Sequence, residues 1–161
     1  MSRVQGTESF SFNHTMLRIK DPKKSLKFYQ EIIGMELLDK HSGGDFTLYF
    51  LAFPQKGDEN LSAEEKAKNR FNREGILELT HNHGTEDDPN FKGYANGNED
   101  PGRGFGHIAI SVDDVEKTCE RFEQMGVRFK KRPSDGKMRH IAFILDEDNY
   151  WIEVVPKKMS L

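Results

Sequence analysis

The chain of 161 residues carries 24 basic and 27 acidic side chains, a net charge of -3, and a single cysteine, Cys119. Lys and Arg are scattered, so the basic face of a nucleic-acid binder is missing, and one thiol excludes an internal disulfide framework. No apolar run approaches the ~20 residues of a membrane span and the polar start has no signal-peptide core, so a cytoplasmic address without membrane partners is expected.

After a polar tail over residues 1–9, residues 10–20 alternate as a strand, and Asp21-Pro22 then supplies a helix cap with proline at the first helical position. Leu26, Tyr29 and Ile33 recur at helical spacing, and Gly34 closes the helix. Strands are predicted at 35–38, 46–53 and 75–82, which makes a βαβββ unit. From Phe105 the order returns. Residues 102–112 run from a glycine-rich approach into a strand with Ile108, Ile110 and Val112 on one face and His107, Ala109 and Ser111 on the other. Asp113-Asp114 then caps a helix bearing Val115, Cys119 and Phe122 on its apolar face, ended by Gly126. Strands at 127–130, 139–145 and 150–155 complete the second unit. A turn at Asp146-Glu147-Asp148-Asn149 joins the last two; it resembles the opening of a calcium loop but lacks the glycine spacing and flanking helices, so a hairpin is expected.

The two units align residue on residue. Phe12-Asn13-His14 sits over Phe105-Gly106-His107, and Ile76-Leu77-Glu78-Leu79 over Trp151-Ile152-Glu153-Val154. The fold class is therefore α+β, with a first module over 10–82, a connector over 83–102 and a second module over 103–161. A charged insert at 54–74, with a helical turn around 63–68, and the Gly/Asn/Asp-rich connector both read as solvent-facing loops, although a connector this long can also wrap a partner subunit. The sequons Asn13-His14-Thr15 and Asn60-Leu61-Ser62 read as chance matches without a secretion signal.

Each module offers one histidine near the start of its first strand and one glutamate on its last. Strand parity places His14, Met16 and Arg18 on one face, with Ile76, Glu78, Thr80 and Asn82 sharing one on the last strand; in the second module Trp151, Glu153 and Val155 share one. Any one of these residues taken alone is more often structural. A glutamate inside Tyr150-Trp151-Ile152-Glu153-Val154-Val155, however, is costly unless paired or bound to a cation. Two imidazoles and two carboxylates suit a borderline divalent metal, and the duplicated spacing favours that reading for His14, Glu78, His107 and Glu153.

The segments Thr15-Met16-Leu17-Arg18-Ile19-Lys20-Asp21-Pro22, Leu77-Glu78-Leu79-Thr80-His81-Asn82, Gly104-Phe105-Gly106-His107-Ile108 and Asp135-Gly136-Lys137-Met138 with Tyr150-Trp151-Ile152-Glu153 resemble glyoxalase I, lactoylglutathione lyase, of the vicinal-oxygen-chelate superfamily. The likeness runs from about residue 11 to 157. It implies a homodimer in which each site takes ligands from both chains, one divalent metal per site, and glutathione as co-substrate. The implied reaction converts the methylglyoxal–glutathione hemithioacetal to S-lactoylglutathione, a detoxification of methylglyoxal. Glu153 matches the family's catalytic base and Glu78 the partner carboxylate, while Arg18, Asn82, Arg103, Lys131 and Lys137 fall where the family binds the tripeptide. Histidine at position 14, where animal enzymes of the family carry glutamine and zinc, suggests nickel or cobalt, with zinc also possible. Met138 and Phe143 could wall a methyl pocket, although a core role fits them too. Two other functions are compatible with this fold: an extradiol-type dioxygenase, whose iron site takes one carboxylate fewer, and a metal-free ligand-binding protein.

Overall fold

The computed structural model describes residues 3–158, so the start of the tail expected over 1–9 and the end of the module expected to reach 161 lie outside the described residues. Two sheets share one plan. In the first, strands β1 (His14–Ile19), β2 (Glu36–Ser42), β3 (Phe46–Ala52) and β4 (Ile76–Asn82) lie in the order β1-β4-β3-β2. In the second, β5 (His107–Val112), β6 (Arg128–Lys131), β7 (Ala142–Leu145) and β8 (Trp151–Pro156) lie in the order β5-β8-β7-β6. The first and last strands of each set run parallel, and the other neighbours are antiparallel.

The repeat reaches into the ladder irregularities. The β2/β3 register shifts at Leu38 and the β6/β7 register at Lys130, each the fourth residue after the glycine that ends the preceding helical segment. Those glycines, Gly34 and Gly126, sit at φ 88° and 73°, a left-handed turn that a side chain would resist. The strand expected from residue 10 begins only at His14, because its partner β4 begins at Ile76; Phe10 and Phe12 are left exposed. The strand expected from 139 begins at Ala142, and β2 runs on to Ser42, which pairs with Thr47.

Contacts gather the chain into two compact units, Met1–Pro22 with Tyr29–Asp88, and Lys23–Phe28 with Pro89–Leu161. Most of the first helix, α1 (Pro22–Lys27), thus falls with the second unit, where Ser25 Oγ donates to Asp148 Oδ2 at 3.2 Å. A wider π-type winding follows over Phe28–Ile33. Within the second unit, α3 (Val115–Gln124) is capped by Asp114, which accepts from the Lys117 N–H, and buries Val115, Cys119 and Phe122. It packs on β8, where Ile152 and Val154 are fully buried. Burial pushes the Cys119 thiol up to about 11, which leaves it an inert core residue. The turn after β7 is a hairpin, as expected: Asp146 Oδ1 accepts from the Asp148 and Tyr150 N–H groups, and Asn149 takes φ 69°.

The insert is largely exposed and carries the expected helical turn, but it is anchored. That turn is a short helix, α2 (Ala63–Asn69), started by a reciprocal cap between Ser62 and Glu65. Arg73 is buried, donating to Asp58 Oδ2 at 2.9 Å and to the Phe53 carbonyl at 2.9 Å. Arg70 lies over the rings of Phe50 and Phe71, 5.0 and 4.3 Å from their centroids, and reaches Asp39 at 3.2 Å. Lys66 meets Glu36 at 2.6 Å. Basic residues that read as solvated are the pins of the insert: Arg70 and Lys66 tie it to acids of the sheet, and Arg73 ties its turn at Asp58 to the end of β3.

Two outcomes follow for stability. Truncation of Ile152, fully buried between α3 and the sheet, to alanine should lower unfolding free energy by about 2–5 kcal/mol in a urea titration. The Asp58 carboxyl is held below its usual range, first by the Gln55 N–H and then by Arg73 against an opposing effect of burial. A carboxyl lowered in the folded state stabilises above its unfolded value of about 3.9 and loses that contribution as the pH falls through its lowered folded value. Asp58→Asn should therefore be less stable than the parent at pH 6, with the gap between them narrowing below about pH 4.

Candidate metal and substrate site

The parallel pairing sets the first pair. His14 lies beside Ile76 and Met16 beside Glu78, so imidazole and carboxylate are two residues apart on neighbouring strands and share a face. His14 Nε2 and Glu78 Oε2 are 3.2 Å apart, with the histidine 36% and the glutamate 13% exposed. The second unit repeats this: His107 lies beside Trp151 and Ala109 beside Glu153, and His107 Nε2 to Glu153 Oε2 is again 3.2 Å, at 40% and 20% exposure. In both, the acid is the more covered partner, flanked by buried neighbours such as Ile152 and Val154 that turn to the opposite face.

The separation suits a shared cation. Ligand atoms on bonds of about 2.1 Å stand roughly 3.0 Å apart along an octahedral edge and 3.4 Å along a tetrahedral one. The donor types, imidazole nitrogen and carboxylate oxygen, match a borderline divalent ion. Among the described residues, no three His, Cys, Asp or Glu side chains are grouped as a metal site. Each unit holds one imidazole–carboxylate pair.

Aromatic rings border each pair. Phe50, across from Glu78 in β3, meets His14 edge-on at 6.4 Å, and it belongs to an apolar cluster with Leu38, Ala52 and Ile76. The face expected to be polar thus has an apolar floor beneath His14. In the second unit, Phe143 pairs with Glu153 across the strands and lies edge-on to His107 at 5.2 Å and to Trp151 at 5.5 Å. Trp151 in turn carries Lys130 over its ring at 5.2 Å. Phe50 and Trp151 were not singled out by sequence reasoning, although strand parity opposite the glutamates was the available signal.

The expected substrate residues divide. Arg18, exposed and paired with Thr80, lies on the His14 face, and Asn82 ends β4 on the Glu78 face. Phe143 is at the second pair, as described. Arg103 lies outside the strands, its guanidinium held by Asp100 at 2.9 Å. Lys137 and Met138 are exposed in the loop between β6 and β7. Lys131 is occupied: its ammonium donates to the carbonyls of Met138 at 2.6 Å, Ile141 at 3.0 Å and Arg132 at 3.1 Å, which ties that loop to the end of β6.

The chain has relatives in sequence and in fold. Residues 11–154 match the model of the Glyoxalase/Bleomycin resistance protein/Dioxygenase superfamily. A lactoylglutathione lyase of Pseudomonas putida is 52% identical over 153 residues, covering 92% of this chain and 86% of that one. One of Schizosaccharomyces pombe is 51% identical over 157 residues, covering 96% of this chain but 50% of its own, so the chain spans about half the length of that relative. Among solved structures, the trypanothione-dependent glyoxalase I of Leishmania major superposes with a TM-score of 0.66 at 29% identity, covering 92% of this chain and 88% of that one. The repeated sheets, the matching His–Glu pairs and these likenesses lead to one conclusion: the chain belongs to the glyoxalase I (lactoylglutathione lyase) family of the Glyoxalase/Bleomycin resistance protein/Dioxygenase superfamily.

Proposed function

We propose that this chain isomerises the methylglyoxal–glutathione hemithioacetal to S-lactoylglutathione at a divalent metal held by His14, Glu78, His107 and Glu153. The observation that carries the reading is the same His–Glu pairing, 3.2 Å in both units, in a chain half identical to lactoylglutathione lyases. The modules at 10–82 and 103–161 would each supply one pair, with two copies of the chain joining so that a pair from one copy meets a pair from the other. Histidine at position 14 favours nickel or cobalt over zinc. No helix among the described residues is long and apolar enough to cross a membrane.

When bound, the metal would polarise the substrate's carbonyl and stabilise negative charge on its oxygens. Glu153 is the base. Its carboxylate takes the proton from the carbon bearing sulfur, and the C–H electron pair moves into the bond toward the ketone carbon. The same carboxyl then delivers that proton to the former ketone carbon. The hydroxyl proton on the sulfur-bearing carbon passes to the former ketone oxygen, so that carbon ends as a thioester carbonyl and its neighbour as a carbinol, with no outside oxidant or reductant needed. Only a carboxylate among these four ligands can both bind a cation and carry a proton in this way. Phe143 and Trp151, packed edge to face beside Glu153, exclude water from that side. Arg18 suits bidentate capture of a glutathione carboxylate, with Asn82 on the same face; Arg103, Lys137 and, once released from its carbonyls, Lys131 would add charge, and Met138 an apolar wall.

Thioester absorbance on mixing with methylglyoxal and glutathione measures the activity, and no signal with nickel, cobalt or zinc would overturn the reading. Glu153→Gln should lower kcat by about 10²- to 10⁴-fold while the dimer persists, by size-exclusion chromatography. Arg18→Lys should raise KM about tenfold with little change in kcat, since it removes binding shared by ground and transition states.

A further inference from the structure

The two histidines are alike in their contacts to glutamate and unlike in what stands behind them. Behind His14 is the amide of Asn13. Its Nδ2 donates to two backbone carbonyls of the insert, Arg73 at 2.7 Å and Arg70 at 3.1 Å. Both amide hydrogens are thereby spent, and the orientation of the group is settled by chemistry: the atom facing His14 must be the oxygen. Asn13 Oδ1 lies 2.8 Å from His14 Nδ1. A carbonyl oxygen only accepts, so Nδ1 must carry a hydrogen, which leaves Nε2, the atom 3.2 Å from Glu78 Oε2, as the nitrogen whose lone pair can bind a cation shared with that carboxylate. The aligned position in the second unit is Gly106, which has no side chain to do this; there Asn98 instead donates to the Gly106 carbonyl.

The carbonyls that orient Asn13 are themselves fixed. Arg73 is clamped by Asp58 and the Phe53 carbonyl, and Arg70 by Asp39 and the rings of Phe50 and Phe71. A continuous path of contacts runs from the insert through one amide to one imidazole. We infer that Asn13 is a positioning residue that locks His14 in the tautomer binding metal through Nε2, and that the insert at 54–74 serves to hold Asn13. The inference rests on the four-ligand reading above. It also gives the Asn13-His14-Thr15 triplet a use, since an amide committed to two carbonyls is not available as a glycan acceptor.

The test reads histidine nitrogens and metal affinity, not turnover. In metal-free parent protein, long-range ¹H–¹⁵N spectra should show a hydrogen on Nδ1 of His14; an Nδ1 without one would overturn the inference. Asn13→Ala should lose that single-tautomer signature and hold nickel or cobalt about ten- to a hundredfold more weakly in a chelator competition, as loss of an outer hydrogen bond to a metal-binding histidine does. Asn13→Asp, which can still accept from Nδ1 but cannot donate to the insert, should keep the tautomer while amide exchange quickens over residues 70–73. His14→Ala separates the two levels. If it leaves affinity unchanged, the four-ligand reading fails; if it weakens binding while Asn13→Ala does not, only the role of Asn13 fails.

Discussion

A parallel strand pair with a two-residue offset is the constraint on which the rest depends. In each unit the first and last strands are neighbours, so a histidine opening one and a glutamate in the middle of the other reach the same face within 3.2 Å. A slip of one residue would send the glutamate to the opposite face. Apolar packing forbids the slip: Ile152 and Val154, which flank Glu153, are fully buried, and Leu77 and Leu79 flank Glu78 in the same way. Burial of four side chains of no chemical interest thus holds the two that matter.

Duplication did not leave two equal halves. The first unit carries an insert that Arg70 and Lys66 tie to acids of the sheet and Arg73 ties to Asp58 within the insert, and whose backbone grips the residue before His14. The second unit has a glycine at that position and an aromatic pair, Phe143 and Trp151, around its histidine and glutamate instead. One half has more support behind its histidine; the other sets two aromatic rings beside its histidine and glutamate while leaving that glutamate the more exposed of the two.

Lys131 shows how a loop can take up a charge that the family resemblance assigns to a ligand. Three carbonyls of residues 132, 138 and 141 converge on its ammonium, and together they fold the segment that carries Lys137 and Met138. The residue shapes the rim before it can touch anything bound there. Arg103, held at the surface by Asp100, has a weaker tie, since an ion pair so exposed contributes little.

Much of this was readable from the chain alone. Period-two alternation around His14 and His107 and the glycines closing each helical segment are local signals, and the equal spacing of Phe12-Asn13-His14 and Phe105-Gly106-His107 carried the repeat, the faces and the four paired residues. The strand ends were misjudged at Phe10 and Arg139, because a strand stops where its partner stops and the partner lies some sixty or ten residues away. The anchoring of the insert was missed for the same reason: Arg70 and Arg73 look solvated until Asp39, Asp58 and Phe50 are brought to them. Sequence by itself determined which residues alternate, which repeat and which chemistry they hold. Tertiary structure alone decided which hydrogen bonds they make, because the orientation of one asparagine amide depends on carbonyls 57 and 60 residues further along the chain.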